Sequence, residues 1–246
     1  NALEGWTSNH SLITWRSYDL VNWTDETVID IRQFEGFENT TRAWAPQAMW
    51  DEKENAYDAV IREAREELGI DQDALVIGHI GRFVQQKNHS FLIDIFNEIS
   101  KLNDKAILLL AGQGPLMDET IEKVNSLSLT DKVKFLGQRN DANELYQAFD
   151  VFLLPSLYEG LPVVGVEAQA AGLLCFLSSD MTKETKVLES TTIMTLQDSP
   201  EEWAKAIVDK VSTFERKDTK EEISANNFNI KVEANKLENY YLEKQV

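Results

Sequence analysis

The chain has 246 residues, 43% of them apolar and 27% charged, proportions ordinary for a globular protein with one large domain or one domain and an appendage. Its formal charge of −18 and pI near 4.6 argue against nucleic acid or an anionic membrane surface as the main partner. No apolar run reaches the roughly 18 residues that a membrane-spanning helix needs, and a single cysteine, Cys175, rules out a disulfide within the chain.

Residues 1–57 read as a β-rich segment. Five of the six tryptophans (Trp6, Trp15, Trp23, Trp44 and Trp50) fall there, in short β-prone pieces at 12–16, 27–31 and 44–50 separated by Asn, Asp and Gly. Near Tyr57 that texture stops. From Asp58 onward, helices and strands alternate: a helix at 59–68 capped by Asp58 and closed by Gly69, a strand at 74–83, an amphipathic helix at 90–102, and a strand at 106–111. After Gly112-Gln113-Gly114-Pro115 come a helix to about 127, a strand at 132–136 closing on Gly137, and a short helix at 141–149. Strands at 150–156 and 173–179 flank a helix placed between Pro162, which suits a first helical position, and Gly172, which suits the position just past the end. A short strand at 192–196, a helix at 200–214 capped by Ser199 and a long polar helix at 221–244 complete the pattern. Six strands interleaved with helices predict an α/β fold, a Rossmann-like doubly wound parallel sheet over 58–246 preceded by a short antiparallel β segment.

Two loops at the carboxyl edge of that sheet carry the chemistry, since open α/β sheets bind ligands there. After the first parallel strand come Gly81-Arg82-Phe83-Val84-Gln85-Gln86-Lys87-Asn88, where Arg82 offers a planar fork for two phosphate oxygens and Lys87 a mobile point charge. After the fourth come residues 159–167, Glu-Gly-Leu-Pro-Val-Val-Gly-Val-Glu. Free amides around Gly160 and Leu161, at the positive end of a helix, favour an anion such as a diphosphate, and an ionised carboxylate accepts two hydrogen bonds from a vicinal diol. Gly137-Gln138-Arg139 ends a third strand at the same edge. Histidines 10, 79 and 89 and the lone cysteine show no metal-ligand spacing, so no metal site is expected.

Two glutamates separated by seven residues around a Gly-Leu-Pro turn, preceded by Pro-Ser-Leu-Tyr, resemble the signature of the retaining glycosyltransferases of family four, which have two Rossmann-like domains in a GT-B fold. The resemblance covers about 58–244. It implies a donor-binding domain in which Glu159 lies near the donor sugar, Glu167 hydrogen-bonds the ribose hydroxyls, Arg82 and Lys87 hold the donor diphosphate, and the loop of Gly137 and Arg139 lies beside the base. It also implies a sugar nucleotide such as a UDP- or GDP-sugar as substrate and no cofactor or metal. The expected acceptor is a carbohydrate or lipid-linked molecule, and the expected location is cytoplasmic or peripheral at the inner membrane face, within bacterial polysaccharide synthesis. Such enzymes hold the acceptor on an N-terminal domain, which this sequence does not contain, so the chain is expected to be inactive alone.

Ser17 to Trp23 followed by Trp44-Ala45-Pro46-Gln47 and Trp50-Asp51-Glu52 resembles part of the five-bladed propeller of family forty-three glycoside hydrolases, about one blade and the start of another. A fragment of that size lacks the carboxylates of the other blades. Together with the absence of an initial Met, the change near Tyr57 suggests a natural fusion, an engineered chain or a gene-assembly product. Two alternatives stay open: a module that holds a sugar nucleotide without turning it over, and a carbohydrate-active hydrolase in which the β segment is the functional part.

Overall fold

A computed structural model describes residues 11–17, 23–30 and 56–244. The chain divides into two compact units that part between Ile61 and Arg62. In the first unit, β1 (Ser11–Ser17) and β2 (Trp23–Asp30) form an antiparallel pair whose register slips between Thr14 and Arg16. The pair starts four residues earlier in its second strand than the alternation of 27–31 suggested, and the expected piece at 44–50 lies outside the described residues.

The second unit is a six-stranded parallel sheet. Its strands are β3 (Leu75–Ile80), β4 (Ala106–Ala111), β5 (Val133–Gly137), β6 (Val151–Leu154), β7 (Leu174–Ser178) and β8 (Thr192–Met194), in the spatial order β5-β4-β3-β6-β7-β8. The chain enters at the centre, winds outward one way, returns, and winds outward the other way. This doubly wound order leaves a crevice at the carboxyl ends of β3 and β6, where the winding reverses.

Continuous apolar strands follow from burial on both faces. Leu75, Ile77, Leu108, Leu110, Val151, Leu153 and Phe176 point to one side, against α2 (His89–Leu102), α3 (Met117–Ser126) and α6 (Pro200–Val211). Val76, Leu109, Phe152, Leu154, Cys175 and Leu177 point to the other, against α4 (Ala142–Ala148) and α5 (Val163–Ala170). Cys175 is thus a small buried hydrophobe, and burial pushes its thiol pKa up, away from reactivity. At the crossing point, Gly78 on β3 lies under Phe149, and a Cβ there would stand 2.1 Å from the ring.

The amino ends of the two central strands are clamped together by Arg65, in α1 (Ala56–Glu67). Arg65 is buried, donates to Ala148 O, Gln72 O and Ala74 O, and pairs with Asp150 at 2.7 Å. The other oxygen of Asp150 accepts from the Val76 amide at 2.7 Å. One carboxylate therefore joins the helix, β3 and the start of β6.

Three local expectations are corrected. Asp58 lies inside α1, which already begins at Ala56, and is no cap. Pro162 is the N-cap of α5 in extended conformation (φ −72°, ψ 109°), one position before the helix, whereas Gly172 is left-handed (φ 73°) just past its end as expected. The single helix at 221–244 is two, α7 (Lys220–Ala225) and α8 (Ile230–Lys244). Asn227 between them is left-handed (φ 67°), and the Asn229 side chain accepts from the Lys231 amide, so an asparagine-rich turn supplies the break and the new start.

Removing Asp150 leaves a buried guanidinium uncompensated. Asp150→Ala is expected to destabilise the fold by about 3–5 kcal/mol, read as a lower urea midpoint at unchanged slope; an unchanged midpoint would show that the clamp is not needed.

Candidate functional site

Three loops at the carboxyl edge are laced by their backbones. Gly81 N donates to Ala111 O (2.9 Å), Phe83 N to Gln113 O (3.1 Å), Leu116 N to Phe83 O (3.0 Å) and Gly112 N to Gly137 O (2.7 Å). Such close approach requires glycine: a Cβ on Gly112 (φ 141°) would lie 2.0 Å from Gly81 O, and one on Gly114 2.4 Å from Phe83 O. The Gly112-x-Gly114 pair is accounted for by this packing. The laced loops line an open cleft of ≈ 580 Å³ with Gly81, Arg82, Gln138, Arg139 and Ala142 on its walls.

The two arginines of the cleft differ in their freedom. Arg82 is exposed, and its guanidinium has no ion-pair partner among the described residues. Arg139 forms a bidentate pair with Asp141, with Nε 2.8 Å from Oδ1 and a second bond from its Nη2.

Beside the cleft, the loops after β3 and β6 meet through a shielded ion pair. Lys87 Nζ lies 2.6 Å from Glu159 Oε1, with the side chains only 15% and 10% exposed. Ser156 Oγ donates to the same oxygen (3.1 Å) and Gln86 Nε2 to the other (3.0 Å), so both carboxylate oxygens are occupied and oriented. The loop after β7 fixes the backbone: Glu159 N donates to Asp180 O (3.1 Å), and Thr182 Oγ1 donates to Gly160 O (3.1 Å). A buried glutamine, Gln169 on α5, holds that loop in turn, donating to Thr185 O and accepting from the Val187 and Leu188 amides and Thr191 Oγ1.

Gly160 needs no positive φ, and a Cβ there would meet nothing within 4 Å. Packing gives no reason for a glycine at this point of the edge; an approaching ligand would. Leu161 is exposed beside it. Glu167, on α5, accepts from Tyr146 OH at 3.0 Å. Burial and the Glu167 carboxylate raise the Tyr146 pKa, so the phenol stays protonated and donating.

Beneath Lys87 lie two buried imidazoles. His79 Nδ1 is 2.8 Å from Leu153 O, and His89 stacks on Phe83 with centroids 4.1 Å apart. Both are held neutral: burial lowers His79 well below the usual histidine range, and burial together with the charge of Lys87 lowers His89 to about 4.

The structure therefore brings Lys87 and Glu159 into contact, sets Gly81, Arg82 and Arg139 around one cleft, and places Gly160, Leu161 and Glu167 on the next loop and helix. Sequence reasoning did not find Gln86, Ser156, Tyr146, Asp180 or the histidine pair. Gln86 lies in the loop of Arg82 and Lys87, and Ser156 in the Pro-Ser-Leu-Tyr turn; Tyr146 lies in a helix with no motif. Among the described residues no group of three or more His, Cys, Asp or Glu is arranged to hold a metal, and no helix is long and apolar enough to cross a membrane.

A doubly wound parallel sheet with these loops at its switch point defines a Rossmann-like domain. The model of the Glycosyl transferases group 1 family matches residues 60–228, and the chain belongs to that family. A second model, described as a probable glycosyl hydrolase domain, matches residues 2–69. EpsF of Bacillus subtilis, named as a glycosyltransferase, is 42% identical over 146 residues, 59% of this chain and 38% of EpsF. An Escherichia coli UDP-Gal:alpha-D-GlcNAc-diphosphoundecaprenol alpha-1,3-galactosyltransferase is 33% identical over 115 residues, 46% of this chain and 30% of that enzyme. The chain thus spans about a third of the length of these relatives. Among solved structures, Anabaena HepE in complex with UDP and glucose superposes with a TM-score of 0.56 at 24% identity, over 63% of this chain and 43% of HepE, which shows the GT-B Rossmann-like fold.

The neutral His89 gives the site a pH signature. Its folded pKa, about 4, lies below the unfolded value near 6.5, so on acidification the unfolded chain takes up the proton first and stability falls from about pH 6.5 to pH 4. That group alone should remove about 3 kcal/mol over the window. In denaturant titrations at a series of pH values, His89→Phe should lack this part of the acid limb; superimposable limbs would contradict a neutral buried His89.

Proposed function

We propose that this chain is the donor-binding domain of a retaining, metal-independent hexosyltransferase that takes a sugar nucleotide, with UDP-sugars favoured. The observation that carries the reading is the shielded Lys87–Glu159 pair, which sets a cation and an oriented carboxylate together where the winding reverses. The UDP and UDP-glucose named with the HepE structures and the UDP-Gal donor named for the Escherichia coli relative support the nucleotide.

In this reading the base lies along the cleft of Gly81 and Arg139, and the ribose hydroxyls donate to Glu167, kept oriented by Tyr146. The diphosphate meets Arg82, Lys87 and the amides of Gly160 and Leu161. When the bond from the anomeric carbon to the leaving phosphate oxygen breaks, negative charge grows on the diphosphate, and these groups stabilise it; the acceptor hydroxyl attacks the same face of the sugar and passes its proton to the departing phosphate oxygen. Glu159, fixed by Lys87, Gln86 and Ser156, orients the sugar hydroxyls. The acceptor belongs on a second Rossmann-like domain that faces this edge. The names of two relatives, one acting on a diphosphoundecaprenol-linked sugar and one in amylovoran biosynthesis, support polysaccharide assembly on a carbohydrate or lipid-linked acceptor; the reading puts this chain on the cytoplasmic side of a bacterial inner membrane.

One observation favours a second reading, a module that binds a sugar nucleotide without turnover: Lys87 and Arg139 are already matched by Glu159 and Asp141, leaving Arg82 as the free cation of the described site. Donor hydrolysis by the full chain would exclude it.

The described residues supply one wall of a donor cleft, so the affinity of this chain by itself should be weak, with a Kd on the order of 0.1–1 mM for UDP. Calorimetry should show Arg82→Ala losing about 1.5–3 kcal/mol for UDP and far less for uridine; equal UDP affinity would remove the diphosphate from Arg82. Glu167→Gln should weaken UDP but hardly change its 2′,3′-dideoxy analogue, and a common loss for both would take the ribose away from Glu167.

A further inference from the structure

Three ring nitrogens under the site have no hydrogen-bond partner among the described residues: Nε2 of His79 and both nitrogens of His89, all shut off from solvent. Buried polar atoms are almost always paired, and an orphan is costly. Phenylalanine would fill the position of His89, which is 3% exposed and stacked on Phe83 with ring planes 16° apart, without that cost. The fold alone gives no reason for histidine here.

The two rings that carry them are neighbours, with centroids 4.8 Å apart. Leu153 O only accepts, so His79 carries its proton on Nδ1, and the neutral ring leaves Nε2 a bare acceptor. His89, also neutral, has one N–H, and the two rings lie nearly perpendicular, with planes at 82°. His79 Nε2 lies under Gly81: a Cβ added there would be 2.9 Å from that nitrogen and 3.3 Å from Cδ and Cε of Lys87. Leu153 is on β6, the strand that delivers Glu159. His89 opens α2 two residues after Lys87, and the only link between them is left-handed Asn88 (φ 54°).

We propose that His79 and His89 are positioning residues for Lys87, joined by a hydrogen bond from the His89 ring N–H to His79 Nε2 that closes when a nucleoside diphosphate occupies the edge. Drawing Lys87 toward the phosphates pulls the start of α2 with it, and the small shift seats the N–H of His89 on the bare nitrogen. The completed series runs from His89 through His79 to Leu153 O, each N–H donating to the next acceptor, with no proton transferred. It ties the Lys87 turn to the strand of Glu159 only in the bound state, so relief of the orphaned atoms adds to diphosphate affinity. This rests on the sugar-nucleotide reading of the site.

The test uses the full chain, UDP and uridine. His89→Phe should raise the melting temperature, since it removes two orphaned atoms, yet weaken UDP about tenfold with uridine unchanged. His89→Gln, which keeps an N–H donor, should recover most of that affinity. In 15N-histidine NMR spectra, UDP should move the His79 Nε2 resonance in the direction of hydrogen-bond acceptance while Nδ1 stays protonated. Equal UDP affinity of His89→Phe and the parent, or a His79 Nε2 resonance unmoved at saturating UDP, would overturn the proposal. If the parent binds no UDP at all, the sugar-nucleotide reading falls, and this proposal with it.

Discussion

The ion pair between Lys87 and Glu159 is the interaction on which the site depends. The two residues lie 72 positions apart and meet only because the chain, having wound outward through β4 and β5, returns to set β6 against β3. At 2.6 Å and largely screened from water, the pair costs desolvation that Coulomb attraction alone need not offset, so both charges need further partners. Glu159 has them, in Ser156 and Gln86. Its backbone is tied to the loop after β7, which Gln169 ties to α5. Each element around the switch point thus helps aim one carboxylate, which is how a rigid scaffold supplies geometry that mobile loops do not.

Electrostatics at this edge are sparing. An acidic chain of net charge −18 needs local positive potential to hold a nucleoside diphosphate, yet Lys87 and Arg139 each face a carboxylate. Among the described residues, Arg82 has no ion-pair partner. In the proposed reading, a nucleoside diphosphate would be held by a few oriented groups more than by bulk charge, in the cleft that the laced glycine loops line. Gly112 and Gly114 pack onto the backbone at Gly81 and Phe83, which fixes the start of the first loop.

Much of this architecture was legible in the sequence, for a physical reason. Strands buried on both faces are continuous apolar runs between turn residues, so the strand expected at 106–111 is β4, Ala106–Ala111, and left-handed Gly172 marks the end of α5. The edge loops were legible too, because Gly, Pro and charged residues interrupt apolar runs only where the chain turns at the surface. Long-range pairing was not. Nothing in the spacing says that Arg139 is paired with Asp141 while Arg82 has no ion-pair partner among the described residues, that Tyr146 reaches Glu167 across 21 positions, or that His79 and His89 lie edge to face. The break at Asn227 was missed because helical periodicity is weak in a polar segment, and a single left-handed asparagine decides it.

The most direct test of the account is a map of backbone amide shifts in the full chain on titration with UDP. A ligand seated at the switch point should perturb residues 81–88, 112–114, 137–139 and 159–167 together, with Gly160 and the Lys87 turn among the largest changes. Perturbations confined to the smaller cavity lined by Glu119 and Lys123, or to residues 1–55, would contradict the assignment of this sheet edge as the nucleotide site.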